Sequence, residues 1–509
     1  MNKILYSNIH FLLLLFFAAA CILPACKKDK ASAPVITTVK NYAAAPNDTV
    51  VHSVSTGQWV VLLGSNLSGV THAFFNGVPA TINSTFLTGE SIVIQIPAIT
   101  FQSVPKDKAN EIMVVSEGGT ATFKISIVGA PFISYVRNAA PSPNDTIAKA
   151  IYPGQKVNIL GFNLNNPVSI SFQGVAANLA DVEYTDSSAI VQVPADLSGG
   201  DATLANMISY TNAVGTGTFS IAIIGPPIIT SISNENATAG DSVYLYGNNF
   251  FAVQSLSFAG TTISSFVSAD DGNSIGFVLP SLSQSGPVVI QTKAGSFTTA
   301  YNVNDITTGG VSTFEWGPLF RWDWWGGAEL TSGDPASGWP PYDAAFPGNK
   351  SMFLVLKNAV LKSGDGDEFG NGIRMSGVPW LSAGNVGDPV NSWALKFEIF
   401  VPAPWNGGTI CIKSSNSSYM ARYEPWQVTS VTTAAYSTKG WRTVTIPLSA
   451  FRRNDATLGD GKGAPIASLS DLVGSTGQSD MILYMHNYSA SPTVTTFKAA
   501  FDHFRVVKR

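Results

Sequence analysis

The patterned segments of this chain alternate apolar and polar side chains one for one. Trp393, Leu395, Phe397, Ile399 and Val401 fall on one side of an extended run, and Lys396 and Glu398 fall on the other. A strand that packs one face and shows the other to water reads this way. Residues 441–448, 481–488 and 501–507 carry similar runs. Earlier, Val157 and Ile159 alternate up to Gly161, a half-buried strand ended by a turn. None of these segments reads as an amphipathic helix, so the chain is expected to be all-β.

The pattern repeats three times. Gly57, Gly154 and Gly240 each open a copy; seven residues on stand Gly64, Gly161 and Gly247, and nine on stand Asn66, Asn163 and Asn249. Eighteen on come Phe75, Phe172 and Phe258, twenty on come Gly77, Gly174 and Gly260, and forty on come Pro97, Pro194 and Pro280. Identical offsets mark tandem units, and alternating strands with turns between them predict sandwiches. Gly129-Ala130-Pro131 and Gly225-Pro226-Pro227 mark the joints, where proline stiffens a short linker. After Asp305 the repeat stops. The expected organisation is three units over 33–129, 130–225 and 226–304, then a larger jelly-roll-like sandwich over 305–509.

Composition narrows the class. Only 12% of the 509 residues are charged and the net charge is -4, with no basic stripe able to neutralise phosphates, so nucleic acid is not an expected partner. An apolar run over 11–23 behind Lys3 has the layout of an export signal, expected over 1–25. Leu23-Pro24-Ala25-Cys26 is similar to a bacterial lipobox, which makes Cys26 the expected lipidation site and 26–32 an anchor linker; Cys21 is the competing site. Cys411 would then be the only other thiol of the mature chain, which leaves no intrachain disulfide framework.

Tryptophan is distributed unevenly: of eleven, all but Trp59 lie after residue 310. Trp393 and Trp441 belong to alternating strands and are assigned to the core. Trp324, Trp325, Trp339, Trp380, Trp405 and Trp426 are flanked by Gly or Pro, which places them in turns, and turns lie on the surface. Exposed indoles offer flat apolar faces with little rotamer entropy to lose, and sugar rings fit such faces. The nominated glycan-binding residues are Trp324, Trp325, Trp380, Trp405, Arg422, Tyr423 and Trp426, the polar neighbours serving to orient hydroxyls. Asp365, Asp367 and Glu368 could hold Ca²⁺, but a solvated turn is the favoured reading, and no cofactor or metal is expected. Asp323, Glu398 and Glu424 keep a glycoside hydrolase open as an alternative, although nothing pairs two of them. An aromatic patch that meets a protein partner is a third reading.

The repeated G-x-x-V-x-[IL]-x-G-x-N-[LF] pattern resembles the IPT/TIG immunoglobulin-like domain over residues 33 to 304. Lipobox, repeats and Trp-rich end together, with Arg374 to Trp380 and Arg422 to Trp426 as the specific part, resemble the surface glycan-binding protein B family of Sus-type polysaccharide-utilisation systems. That resemblance implies an outer-membrane lipoprotein at the cell surface, held off the membrane by immunoglobulin-like spacers. It also implies a polysaccharide partner of β-glucan or xyloglucan type bound on a flat aromatic platform, and a SusC/SusD-like transport complex as a further partner. It implies a binder and not an enzyme.

Overall fold

The computed structural model describes residues 31–509 apart from 198, 324–326 and 416–417. The proposed signal segment, Cys21 and Cys26 lie outside the described residues, as do Trp324 and Trp325. The chain divides into two compact units, one ending at Ile223 and the other comprising Ile224–Arg509.

The first unit holds two sandwiches with separate cores. In the first, Val35–Asn41, Trp59–Ser65, Ser91–Gln95 and Ile82–Leu87 form one sheet, and Val78–Ala80, Val70–Phe75, Glu111–Ser116 and Gly119–Lys124 form another. The second sandwich repeats this order. The repeated residues now have physical causes. Gly64, Gly161 and Gly247 each sit opposite a register shift in the preceding strand, where a Cβ would lie 1.7–1.8 Å from a backbone carbonyl oxygen. Only glycine fits there. Asn66, Asn163 and Asn249 take left-handed backbone angles, and each amide donates to a carbonyl at the start of its own unit, on Ala33, Ala130 and Pro226 respectively. The repeated asparagine therefore ties the linker to the sandwich. Phe75, Phe172 and Phe258 are fully buried.

The second unit contains the third repeat, with sheets Ile228–Ile232, Ser242–Asn248, Ser274–Val278, Val267–Ser268 and Thr261–Thr262, Val253–Phe258, Val288–Thr292, Gly295–Thr298, followed by the terminal sandwich. There, Ala328–Ser332, Met352–Asn358, Phe497–Lys508, Trp393–Phe400 and Arg442–Pro447 form a sheet that Gly310–Ser312 joins at Phe497–Lys508. It packs against Gly372–Pro379, Gln478–His486, Thr409–Ser414, Tyr419–Tyr423 and Arg452–Arg453. A five-residue helix, Leu469–Val473, is capped by Ser468 and Asp471.

All eight residues of Trp393–Phe400 are buried, which corrects the expectation that Lys396 and Glu398 face water. The alternation itself holds. The second face is covered by the third repeat, whose Glu235 is fully buried between Lys396 (2.5 Å) and Arg505. Arg505 also donates to the carbonyls of Asp305 (2.6 Å) and Asn302 (3.0 Å), and the Lys396 ammonium lies 3.8 Å from the centroid of the Tyr301 ring. Burial holds the Lys396 ammonium below its ordinary pKa in spite of Glu235. Removing ions from water costs several kcal/mol each, and here each charge regains partners on the opposite sandwich.

Next to this joint, His503 adopts a left-handed backbone at φ 50° where Phe497–Lys508 bulges against Trp393–Phe400. The bulge re-aims the imidazole so that Nδ1 meets Glu398. Neither histidine of the terminal domain is without a partner: His486 Nδ1 lies 2.7 Å from the Gly366 carbonyl. Asp502 accepts from Asn349 at 2.9 Å and Ser351 at 3.2 Å. Burial, with the Glu398 charge, pushes the Asp502 carboxyl up to about 7. Burial alone would lower His503, but the Asp502 and Glu398 charges outweigh it and raise it to about 9.

Candidate functional site

Two of the nominated tryptophans occupy the interior. Trp380 and Trp405 are each 1% exposed, although both stand in the turns that Gly and Pro predict. The Trp405 backbone exchanges hydrogen bonds with Tyr436, its Nε1 donates to the Gly407 carbonyl at 2.8 Å, and its ring meets Phe497 edge-on at 4.8 Å. The turn supplies the carbonyl that the indole needs once it is dry. Trp380 packs edge-on against Phe451 at 5.8 Å. Neither ring offers a face to a ligand. Trp393 and Trp441 are buried, as the strand pattern indicates.

Arg422, Tyr423 and Trp426 are half-buried and engaged within the domain. Trp426 Nε1 donates to the Gly408 carbonyl at 2.9 Å, and the Tyr423 hydroxyl donates to that of Tyr436 at 3.4 Å. The Arg422 guanidinium lies 4.4 Å from the Tyr488 ring centroid and donates to Glu424 (2.7 Å), Thr409 (3.2 Å) and the Asp460 carbonyl (3.1 Å). The structure brings these three to the edge of the five-stranded sheet without grouping them with Trp380.

The exposed indoles of the terminal domain lie elsewhere. Trp316 and Trp339, 57% and 58% exposed, stack with ring centroids 5.7 Å apart and planes 17° apart. Phe320 supports Trp316 from 4.4 Å. Trp316 rides the tip of a tight reversal in which Thr313 N donates to the Leu319 carbonyl (3.1 Å) and Phe320 N donates to that of Gly317 (3.0 Å). The Ser312 hydroxyl pins the base by donating to Leu319 and accepting from Arg321 N. Trp339 sits on a second loop, fastened by Ser332 N to the Pro341 carbonyl (2.9 Å) and by Ser337 Oγ to the Pro340 carbonyl (2.7 Å). Two pinned loops thus present a pair of exposed indoles whose planes lie within 17° of parallel, and Tyr342, 40% exposed, follows on the same loop. Sequence reasoning weighed Trp339 without nominating it and missed Trp316, whose signal was the following Gly317-Pro318.

The carboxylates that kept hydrolysis open are occupied. Glu398 is buried against His503 and Asn236, Glu424 accepts from Arg422 and Thr409, and Asp323 meets Arg374 at 3.4 Å and Ser376. In the suggested cation turn, Asp367 accepts from the amides of Phe369 and Gly370, Asp365 accepts from that of Lys362, and Glu368 pairs with Lys413 at 3.0 Å. Among the described residues no group of three or more His, Cys, Asp or Glu side chains is arranged to hold a metal ion. Cys411 is a buried free thiol, pushed up to about 11 by burial.

Immunoglobulin-like sandwiches in tandem, ended by a larger sandwich with an exposed indole pair, define a modular all-β protein. Residues 307–508 match the family model of the surface glycan-binding protein B xyloglucan binding domain. That match covers the terminal domain and less than half of the chain. A curated IPT/TIG domain-containing protein of Bacteroides ovatus is 22% identical over 329 residues, covering 60% of this chain and 65% of the relative. The matched region thus spans just under two thirds of that relative. A crystal structure of a protein with xylogluco-oligosaccharide aligns with a TM-score of 0.56 at 17% identity, covering 94% of this chain and all of the other, which shows a common fold. A surface glycan-binding protein from Prevotella bryantii aligns with a TM-score of 0.39 at 15% identity over 93% of this chain and 98% of its own.

Proposed function

We propose that this chain is a cell-surface lipoprotein that captures a polysaccharide of β-glucan or xyloglucan type on its terminal domain, without cleaving it. The observation that carries the reading is the stacked, solvent-facing pair Trp316 and Trp339 on a domain that matches a xyloglucan-binding family model. Aromatic stacking on a nucleobase contributes about 1–3 kcal/mol per ring, and sugar C–H faces on an indole fall at the lower end, so two such rings with a few hydrogen bonds give an affinity of roughly micromolar to millimolar. That range suits capture followed by release. Trp324 and Trp325, close in sequence to Phe320, are proposed to extend the platform.

Capture fits the carboxylates better than hydrolysis does. A glycosidase needs two carboxyl groups facing one bond, whereas Glu398, Glu424 and Asp323 each serve an internal partner. Lipidation at Cys26 in the outer membrane, spacing by the repeats over 33–129, 130–225 and 226–304, and hand-over to a SusC/SusD-like complex complete the proposal. The test is electrophoresis of the full chain in native gels with and without soluble xyloglucan or mixed-linkage β-glucan, with an assay for new reducing ends. Retardation without new ends, lost in Trp316→Ala/Trp339→Ala, is the expected result. New reducing ends would make the protein an enzyme.

A further inference from the structure

The third repeat differs from its two sisters at one surface. Tyr244 and Tyr246 stand on the outer face of the strand Ser242–Asn248, 41% and 40% exposed, with ring centroids 6.3 Å apart and planes 18° apart. Opposite Tyr244 in register is Gly276, where a Cβ would come within 2.9 Å of the Tyr244 ring. The glycine lets that ring lie along the sheet. At the corresponding positions the first copy has Val61, Leu63 and Val93, and the second has Asn158, Leu160 and Ile190, with Val61 opposite Val93 and Asn158 opposite Ile190. Two aromatic rings and the glycine that accommodates one of them occur together in one copy of three.

That copy is the one joined to the terminal domain, and the tyrosines floor a cleft of about 1100 Å³ between the two sandwiches. Its other wall includes Pro347, Ser437, Lys439 and Arg442. The closed end is fixed by Thr443, whose amide donates to the Ser233 carbonyl at 2.9 Å and whose hydroxyl accepts from Glu235 N at 2.8 Å, with the buried Glu235, Lys396 and Arg505 charges behind it. A cleft with fixed walls does not spend binding energy on ordering itself. Its size is just above the usual range of about 300–1,000 Å³ for small-ligand sites.

We propose that this cleft is a second saccharide site, taking a stretch of the same β-linked polysaccharide that the terminal platform binds; this rests on the function proposed above. Tyr244 and Tyr246 supply the apolar faces for sugar C–H groups. Ser437, Lys439 and Arg442 supply donors for hydroxyls from the other wall. Two weak sites on one polymer raise its overall affinity beyond that of either site, while an oligosaccharide that fills one site gains nothing.

The test is titration calorimetry of the full chain with polymeric xyloglucan and with a heptasaccharide, using wild type, Tyr244→Ala/Tyr246→Ala, Arg442→Ala and Trp316→Ala/Trp339→Ala. The tyrosine variant is expected to lose about 3- to 10-fold in polymer affinity, with its heptasaccharide affinity at the platform and its melting temperature unchanged. Arg442→Ala, on the opposite wall, should follow it. Polymer affinity equal to wild type in the tyrosine variant overturns the second site, even if the tryptophan variant has lost all binding and so upholds the platform. If wild type binds neither sugar, the proposed function falls and the second site falls with it.

Discussion

Trp405 and Trp339 look alike in the sequence, each in a Gly- and Pro-rich turn of the terminal domain, yet one is 1% exposed and the other 58%. A turn signal favours a reversed backbone, because Pro fixes φ and Gly permits positive φ, but it leaves the direction of the side chain to whatever space the sheets enclose. Trp405 closes the core beside Phe497 and finds a carbonyl for its N–H within its own turn. Trp339 finds another indole to stack on and stays in water. Substitution should separate them sharply. Trp405→Ala should cost about 3–5 kcal/mol in urea unfolding of the full chain and reduce glycan retention only as far as the fold is lost. Trp339→Ala should stay within about 0.5 kcal/mol of wild-type stability and lose glycan retention. If the stability losses of the two were equal, the contrast would be void.

Lys396 and Glu398 show the same contrast in charged residues. Their alternation with Leu395 and Phe397 was legible, as were the all-β class, the three repeats and the change of composition after Asp305. The partner on the far face was not, because Glu235 lies 161 residues before Lys396 and no local pattern pairs them. The same reason explains the site: Trp316 and Trp339 come together through two loops, and the spacing between them carries no periodicity to read. Glu235→Ala sharpens the point, since it strands Lys396 and Arg505 in a dry joint. Leaving buried charge uncompensated costs about 3–5 kcal/mol, so the thermal transition of the second unit should fall by roughly 10 °C, while Glu329→Ala, at the exposed pair with Lys357, should change it little.

Protonation gives a smaller effect with a definite sign. Asp502 and His503 both have folded pKa values above their ordinary ones, about 7 against 3.8 and about 9 against 6.5. A raised value means that the folded state holds its proton more tightly, so this stabilisation is complete at low pH and is lost as pH rises through the folded value. Asp502 loses its share between about pH 3.8 and 7 and His503 between about pH 6.5 and 9, so from pH 6.5 to 9 the melting temperature should fall by several degrees, mainly through His503. Asp305, held down at about 2 by the Thr307 and Thr308 hydrogen bonds in spite of burial, acts only in acid and does not enter that window. His503→Asn tolerates the left-handed backbone and has no titrating proton. It should melt lower at pH 6.5 and show a flatter profile up to pH 9.

The smallest effect tests the edge that the sequence favoured and the geometry turned inward. Arg422 stacks on Tyr488 and spends its donors on Glu424, Thr409 and Asp460, so its removal trades a mostly buried network for water, and hydrogen bonds of this kind contribute about 1 kcal/mol net. Arg422→Ala should lower stability by about that amount in urea titration and leave xyloglucan retention at the wild-type level. The opposite outcome, retention lost with stability intact, would mean that the guanidinium reaches a sugar after all. Arg422, Tyr423 and Trp426 would then return as the orienting edge of a platform wider than the Trp316 and Trp339 pair, and the line between inward and outward turns would have to be redrawn at Trp426.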